Sequence, residues 1–222
     1  MPDSRLVFGD LALEVVVSDP PWHQNCYLVR HLPSGAVLIV DPGARPADIL
    51  AAAQADGGVP KAILLTHGHP DHISGAAGLQ EALKLPCHAH EKERPVIERA
   101  ANMASSLMGM RLTPPQCTWF VEAPTLEAGE IPMRVIETPG HTPGGVCYDF
   151  KGFVLTGDTL FNYGVGRTDL PGGDGRALVE SITRLLGMLP EEAVLFSGHG
   201  PEWTVAEAQG WWQRVAAQGG LF

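Results

Sequence analysis

The sequence predicts an α+β fold in which two β-sheets pack face to face and helices cover their outer faces. Two observations indicate this fold. Apolar strands separated by Pro and Gly turns occur in two groups, one in each half of the chain, and helical segments follow each group. A sheet with an apolar face must bury that face against another layer, so the two halves are expected to stack sheet on sheet.

The first group of strands begins as a meander and continues as an alternation of helix and strand. Pro46 opens the first helical stretch and a Gly pair follows it, as expected at the two ends of a helix. The predicted elements of this half are strands at 13–17, 25–29 and 36–40, a helix at 46–54, a strand at 61–65, a helix at 72–84, a strand at 86–90 and a helix at 95–108.

The second half repeats this order. Residues 114–130 are predicted as loop or edge strand, and a Gly-rich loop at 164–175 separates the later strands from a helix. No linker or low-complexity tract divides the chain, so we expect one domain over residues 1–222. The remaining predicted elements are strands at 133–137, 146–150 and 153–156, a helix at 176–189, a strand at 193–197 and a helix at 205–217.

Composition and charge exclude several classes of partner. The chain has 15 Lys and Arg against 25 Asp and Glu, a formal net charge of −10, which leaves no basic surface for nucleic acid. Its apolar runs are shorter than the ~20 residues of a membrane helix, and its first ten residues lack the pattern of a signal peptide. The four cysteines have no C-x-x-C spacing, as expected of isolated thiols in a reducing compartment. We therefore expect a cytoplasmic protein that acts on a small molecule.

The strongest functional pattern follows the apolar strand at 61–65. His67 and His69 are alternate residues of an extended chain, so both side chains can face one cation. Asp71 and His72 lie on the following turn and can reach a neighbouring cation. Imidazole and carboxylate groups suit zinc, iron or manganese, and the absence of a thiolate argues against a closed structural zinc site. The pattern predicts an open, catalytic metal site.

Three further candidate ligands each follow an apolar strand and lie in a turn of small residues. They are His141, Asp158 and His199. Taken alone, a Gly-His or Gly-Asp turn is more often ordinary turn chemistry. Taken with the first pattern, these residues supply the missing ligands in a repeated strand-to-loop context.

Together these residues resemble the full ligand set of the metallo-β-lactamase fold superfamily, over nearly the whole chain. The resemblance implies an αββα four-layer sandwich of two mixed sheets with outer helices. The segment Val40-Asp41-Pro42-Gly43 is similar to the family's early Asp-containing loop, which packs beneath the metal site. The ligand division that the resemblance implies is His67, His69 and His141 on one metal, Asp71, His72 and His199 on the other, and Asp158 bridging both.

The predicted chemistry is hydrolysis assisted by two divalent metal ions. Two cations about 3.5 to 4 Å apart hold a bridging water, lower its pKa and leave hydroxide as the nucleophile, while one cation polarises the carbonyl under attack. Asp71 and Asp158 are the predicted catalytic carboxylates, and Asp158 fixes the metal spacing. Zinc is the expected metal, with iron or manganese as alternatives. No G-x-S-x-G elbow is present, consistent with a metal-based mechanism.

Within the superfamily, the chain is most similar to the short members of the glyoxalase II group. The markers are His141-Thr142-Pro143-Gly144, Gly166-Arg167-Thr168-Asp169 and Gly198-His199-Gly200-Pro201. The likeness implies hydrolysis of small thioesters such as S-lactoylglutathione. Long members continue into a helical domain that holds glutathione, whereas this sequence stops at Phe222, so weak recognition of glutathione is expected. Arg167 either binds a substrate carboxylate or forms a loop-stabilising pair with Asp169.

Other activities stay open at this point. A mono-iron persulfide dioxygenase shares the 166–169 pattern, but that family usually has Ala-His-Asp where this chain has Gly198-His199-Gly200. A lactonase or β-lactamase is a third possibility, because the same metal site opens lactones and lactams. A nuclease is disfavoured by the lack of basic residues. A non-enzymatic metal-binding module is the fourth, although a complete open site has no obvious structural purpose.

Residues outside these motifs are interpreted mainly as structural. The histidines without motif context are assigned to the core or the surface: His23, His31, His88 and His90. Three tryptophans are predicted to pack the last helix onto the sandwich: Trp203, Trp211 and Trp212. The methionine-rich stretch 103–110 is predicted as core, with the lining of a substrate entrance as the alternative.

Overall fold

A computed structural model describes residues 5–43 and 45–217. Seven strands form the first sheet, and their order across the sheet is the same as their order along the chain. They are β1 (Leu6–Phe8), β2 (Leu11–Val17), β3 (Asn25–His31), β4 (Ala36–Val40), β5 (Val59–Leu64), β6 (Cys87–His90) and β7 (Cys117–Phe120). The first four strands pair antiparallel and the rest parallel.

Helices connect the parallel strands of this sheet, since a parallel pair needs a crossover. The helix α1 (Pro46–Gln54) leads from β4 to β5. The helices α2 (Pro70–Ile73) and α3 (Ala76–Leu83) lead from β5 to β6. The helix α4 (Arg94–Met103) continues into a π-helical turn, Ala104–Met108, on the way to β7.

The second sheet has six strands in the order β15-β14-β11-β10-β9-β8. They are β8 (Thr125–Ala128), β9 (Ile131–Glu137), β10 (Val146–Asp149), β11 (Phe153–Gly157), β14 (Val194–Ser197) and β15 (Trp203–Thr204). A small hairpin, β12 (Leu160–Phe161) with β13 (Gly164–Val165), stands apart from it. Two helices belong to this half, α5 (Gly175–Met188) and α6 (Val205–Ala217).

The apolar residues form three layers of core, which confirms the predicted four-layer sandwich. In β4, Leu38 and Val40 pack between the two sheets, whereas Val37 and Ile39 face α1 and α3. This alternation follows from the two-residue period of a strand. The third layer joins the second sheet to α5 and α6 and includes Trp203 and Trp212, so these tryptophans pack as predicted.

Local differences from the sequence prediction have physical causes. The helix predicted at 72–84 is two helices, α2 and α3, because the amide of Gly75 donates to the carbonyl of Pro42 at 2.9 Å and does not continue α2. The segment 114–130 contributes one edge strand to each sheet, β7 and β8. The strands β1 and β15 and the β12–β13 hairpin were not predicted. Within the described residues, no helix has the length and apolar character needed to cross a membrane.

Candidate metal centre

All the predicted ligands follow the carboxyl ends of strands, at one edge of the sandwich. The first sheet contributes the segment 66–72 after β5, and the second contributes His141, Asp158 and His199 after β9, β11 and β14. The amide of Val146 on β10 donates to a carbonyl of the 66–72 segment at 3.0 Å. The cluster therefore forms where the two sheets meet.

The side chains that could hold a cation fall into neighbouring groups. Within each group, one candidate atom per residue lies within 4.8 Å of the others. The groups are His67, His69 and His141; Asp71, His72 and His199; and Asp41, His67 and His72. The first two match the division that the sequence resemblance implies, whereas the carboxylate of Asp41 is engaged in hydrogen bonds beneath the cluster.

Asp158 lies between the first two groups. Its Oδ1 atom is 3.2 Å from Nε2 of His72. Its Oδ2 atom is 3.6 Å from Nε2 of both His141 and His199. One carboxylate thus faces both halves of the cluster, which is the position that a bridging ligand requires.

Hydrogen bonds on the far side of the imidazole rings orient them. Nδ1 of His72 donates to Oδ2 of Asp41 at 3.0 Å, and Nδ1 of His141 donates to the carbonyl of Arg167 at 2.7 Å. Nδ1 of His199 donates to the carbonyl of Trp22 at 2.9 Å. Because these acceptors have no proton to give, Nδ1 carries the hydrogen and Nε2 faces the cluster.

The remaining two rings complete the donor set. Nδ1 of His67 lies 3.1 Å from the hydroxyl oxygen of Thr66, which itself donates to Asp41 and so accepts from the ring. His69 presents Nδ1, which lies 2.9 Å from Nε2 of His141. His69 therefore offers the cluster a different ring nitrogen from the other histidines.

Several atoms at the centre of the cluster have no hydrogen-bond partner. They are Nε2 of His67, Nε2 of His72 and Oδ1 of Asp158, all of them buried; the last two lie 3.2 Å apart but do not have the geometry of a hydrogen bond. Leaving a buried polar atom unpaired costs on the order of 1–3 kcal/mol, so such atoms are rare unless they serve a purpose. A cation held by nitrogen and oxygen ligands would satisfy them, and the donor set fits zinc, iron or manganese.

The electrostatics of the cluster also fit a cation. Burial lowers the pKa of His67 well below its ordinary value and that of His69 to about 3, so both rings are neutral. Burial would also lower the pKa of His72, but the carboxylates of Asp158 and Asp71 outweigh it and raise that pKa well above its ordinary value. The carboxylates thus favour a positive charge at His72. A bound metal cation would supply this charge in place of the proton on the imidazole ring.

Two buried acids support the ligand loops without entering the cluster. Oδ1 of Asp41 accepts from the amide of Thr66 at 2.7 Å, while Oδ2 of Asp41 accepts from His72. Glu93, before α4, accepts from the amides of Gly68 at 2.7 Å and Gly144 at 2.8 Å. Sequence reasoning found the Asp41 loop by resemblance but missed Glu93, which no sequence signal separates from Glu91 or Glu98.

Glycine is required where the chain passes closest to the cluster. A Cβ atom at Gly198 would lie 2.2 Å from Oδ1 of Asp158 and 2.5 Å from Cε1 of His72. A Cβ atom at Gly68 would lie 2.5 Å from Cγ1 of Ile97 on α4. The small residues beside the ligands therefore allow the side chains and α4 to approach.

The cluster forms the floor of a cavity of about 600 Å³. Trp22, Phe161 and Val165 give it apolar walls, and Met103 lines it at the end of α4. Sequence reasoning missed Trp22 and Phe161, and it left open whether the stretch around Met103 lines a substrate entrance. The side chains of Leu107 and Met108 lie outside the described residues.

Arg167 reaches the rim of this cavity, but its guanidinium is bound elsewhere. Its Nε and Nη2 atoms donate to the two carboxylate oxygens of Asp169, each at 2.7 Å, and both side chains are exposed. This contact matches the loop-stabilising alternative for Arg167. The histidines set aside by sequence, among them His88 and His90, do not line the cavity.

The sequence comparisons agree with this fold and site. A family model for the metallo-β-lactamase superfamily matches residues 19–199. The probable metallo-hydrolase YqgX of Bacillus subtilis is 36% identical over 193 residues, which cover 85% of this chain and 90% of that protein. The hydroxyacylglutathione hydrolase GloC of Haemophilus influenzae is 30% identical over 191 residues, which cover 84% of this chain and 90% of that protein. The chain belongs to the metallo-β-lactamase superfamily.

Solved structures show the same architecture. The BLEG-1 B3 metallo-β-lactamase aligns with a TM-score of 0.82 and 32% identity, covering 89% of this chain and 96% of that one. The protein TTHA1623 in a di-iron-bound form aligns with a TM-score of 0.78 and 36% identity, covering 88% and 96%. Family membership and the His and Asp cluster together identify a metal-binding enzyme of the metallo-hydrolase type.

Proposed function

We propose that this protein hydrolyses small thioesters with the help of two divalent metal ions. One observation carries the proposal: the cluster, which contains buried nitrogen and oxygen atoms without hydrogen-bond partners, lines an open cavity with apolar walls through His69, Asp71, His141, Asp158 and His199. The likeness to a hydroxyacylglutathione hydrolase supports a thioester rather than another acyl compound.

Within this proposal the cluster divides into two metal sites. Bound there, the cations would lower the pKa of a water molecule between them and polarise the acyl carbonyl. Asp158, which lies between the two groups of side chains, would be a ligand of both ions. The ligands we propose are His67, His69 and His141 for one site, Asp71, His72 and His199 for the other, and Asp158 for both.

The side chains around the cluster suit a thioester in two further respects. The described residues that line the cavity include no Ser or Cys, and water is the nucleophile of this proposal. Thiols have a pKa near 8.5, so the thiolate leaves a thioester without needing a proton, whereas the amine of an opened lactam needs one. The apolar side chains of Trp22, Phe161 and Val165 hold the acyl chain and exclude bulk water from it.

The test compares reaction classes on one preparation. Thiol release from S-lactoylglutathione and simpler thioesters is measured beside oxygen uptake with glutathione persulfide and the opening of a chromogenic cephalosporin. We expect thioester cleavage that consumes no oxygen and proceeds with zinc, with a high KM for the glutathione thioester. Iron-dependent oxygen uptake without thioester cleavage would identify a persulfide dioxygenase instead, and cephalosporin opening alone a lactamase.

Matched variants connect the activity to the cluster. Asp158→Ala should abolish thiol release, whereas His88→Ala should keep it, since His88 lies on β6 away from the cavity. Equal loss in both variants would contradict the assignment. Zinc as the native metal, a cytoplasmic location and a single domain remain predictions that metal analysis, cell fractionation and limited proteolysis can check.

A further inference from the structure

A second cavity, of about 500 Å³, adjoins the one above the cluster. The two cavities share His69, Met103 and Leu170 as lining residues, so they form one continuous groove. The second cavity runs between α4 and the Gly-rich loop, with apolar walls from Val96 and Pro171. A molecule whose reacting carbonyl lies over the cluster can therefore extend an apolar arm past Met103.

Three polar residues border this second cavity, whose walls are mainly apolar. Arg99, Asn102 and Ser106 belong to α4 and the turn that continues it. Their spacing of three and four residues places them, with Met103, on one face of the helical segment. Arg99 lies one turn before Met103, about 6 Å along the helix axis. The groove thus has mainly apolar walls and one arginine on its border.

The two arginines of the groove differ in their bonding. The guanidinium of Arg167 is held by Asp169 through two hydrogen bonds. Arg99 donates from Nε to the carbonyl of Pro95 at 2.8 Å, and no ion pair of Arg99 occurs in the described part of the chain. The Nη1 and Nη2 atoms of Arg99 are therefore available to bind an anion. Without such a local positive charge, the net charge of −10 on the protein would repel an anionic ligand.

We propose that the second cavity binds the thiol portion of the substrate, and that this portion is an apolar chain ending in a carboxylate that pairs with Arg99. The proposal rests on the thioesterase function and adds a substrate class to it. A planar guanidinium matches the two oxygens of a carboxylate, and Asn102, about one turn after Arg99, can supply a further hydrogen bond. The apolar walls bury the chain between carboxylate and sulfur.

Paired substrates test this proposal by kinetics. The S-acetyl thioesters of mercaptohexanoate and mercaptohexanol share the acyl group and the chain length and differ only in the charged end. With Arg99→Gln, we expect KM for the mercaptohexanoate ester to rise about tenfold, as fits the loss of a charge-assisted hydrogen bond, with little change in kcat. KM for the mercaptohexanol ester should stay at the wild-type value.

Two further variants separate recognition from structure. Arg176→Gln is the matched control, because Arg176 lies exposed on α5, paired with Glu180 and outside both cavities. It should leave both KM values unchanged. Arg99→Glu should reverse the preference, lowering KM for the acetyl thioester of mercaptohexylamine relative to that of mercaptohexanoate. A merely structural role of Arg99 would not produce this reversal.

Direct binding distinguishes failure of the subsite from failure of the proposed activity. Analogues in which a methylene group replaces the thioester sulfur are not hydrolysed, and their affinity is measured by titration calorimetry. The wild-type protein should bind the carboxylate analogue about tenfold more tightly than the alcohol, and Arg99→Gln should remove the difference. Equal affinities in the wild-type protein would overturn the subsite. Binding with the expected preference but no thioester cleavage would overturn only the thioesterase function.

Discussion

The sandwich has two cavities of similar size at opposite ends of β11, and only one of them overlies the cluster. The other, about 640 Å³, opens near Phe153 at the start of the strand and is lined by Asp149, Arg134 and Lys151. There the carboxylate of Asp149 is satisfied, accepting from Arg134 at 2.7 and 3.0 Å and from the amide of Lys151 at 2.9 Å.

At the other end of β11, Asp158 has a buried oxygen with no hydrogen-bond partner, and Nε2 of His67 beside it has none either. The two cavities therefore have similar volumes but differ in whether the polar atoms beside them have hydrogen-bond partners. A carboxylate that already has its hydrogen bonds stabilises the fold, whereas one that lacks them needs a cation. Size alone would not have distinguished the two ends.

Exchanging the two carboxylates for alanine should give the largest contrast. Asp158→Ala is expected to lower kcat by at least the roughly 10²–10³-fold lost when a single oxyanion donor is removed, because both metal sites lose a ligand. Asp149→Ala should keep its activity. Its free energy of unfolding should fall by about 1–2 kcal/mol, because the hydrogen bonds from Arg134 are lost. Steady-state kinetics and urea unfolding measure both. Similar activity loss in both variants would mean that the cavities do not differ as argued.

The stabilisation of the fold by added metal should depend on Asp158 and not on Asp149. A divalent cation at 100 times its dissociation constant adds about 2.7 kcal/mol to the folded state, or about 5–10 °C in Tm for a chain of this size. Chelator-treated wild-type protein and Asp149→Ala should both show this rise on adding zinc. Asp158→Ala should lose most of it. Differential scanning fluorimetry measures the rise in Tm. A full rise in Asp158→Ala would place the metal elsewhere.

Weakening the support beneath the cluster should have a smaller effect. Asp41→Asn replaces one acceptor oxygen with an NH2 donor, so Nδ1 of His72 and the amide of Thr66 can no longer both donate to this side chain. We expect metal affinity to fall about 10–100-fold while the protein stays folded. Competition with a chromogenic chelator measures the change. His88→Ala, which leaves the cluster untouched, serves as the control. Unchanged affinity in Asp41→Asn would show that the ring needs no such support.

Truncating Arg167 should have the smallest effect of the series. Because its guanidinium is bound to Asp169 and both side chains are exposed, Arg167→Ala should change KM for an anionic thioester by less than about fivefold. A larger rise in KM would mean that the guanidinium leaves Asp169 to bind substrate, as the sequence alternative held. Asp169→Ala, which frees the guanidinium, completes the comparison.

Sequence alone predicted the features that depend on local pattern. The segment from His67 to His72 follows an apolar strand, and the two-residue period of an extended chain places its first two histidines on one side. His141, Asp158 and His199 could be predicted because each follows a strand, and the ends of strands meet at the edge of a sandwich. Apolar alternation likewise predicted both sheets.

The features that sequence did not predict depend on contacts between distant segments. Glu93 supports Gly68 and Gly144 only because the fold brings three loops together. The break at Gly75 accompanies a hydrogen bond from its amide to the carbonyl of Pro42, in a distant loop. Trp22 reaches the cavity from the loop before β3, and no local pattern indicates it. Non-local contacts of this kind leave no periodicity in the sequence.

The central claim is that the cluster holds two divalent metal ions, with Asp158 serving both. Elemental analysis of fully active protein, purified without added metal and corrected for protein concentration, tests it most directly. We predict two metal ions per chain, because the surrounding side chains exceed the needs of one tetrahedral ion. One metal ion per chain in fully active protein, unchanged on titration with zinc or iron, would contradict the account.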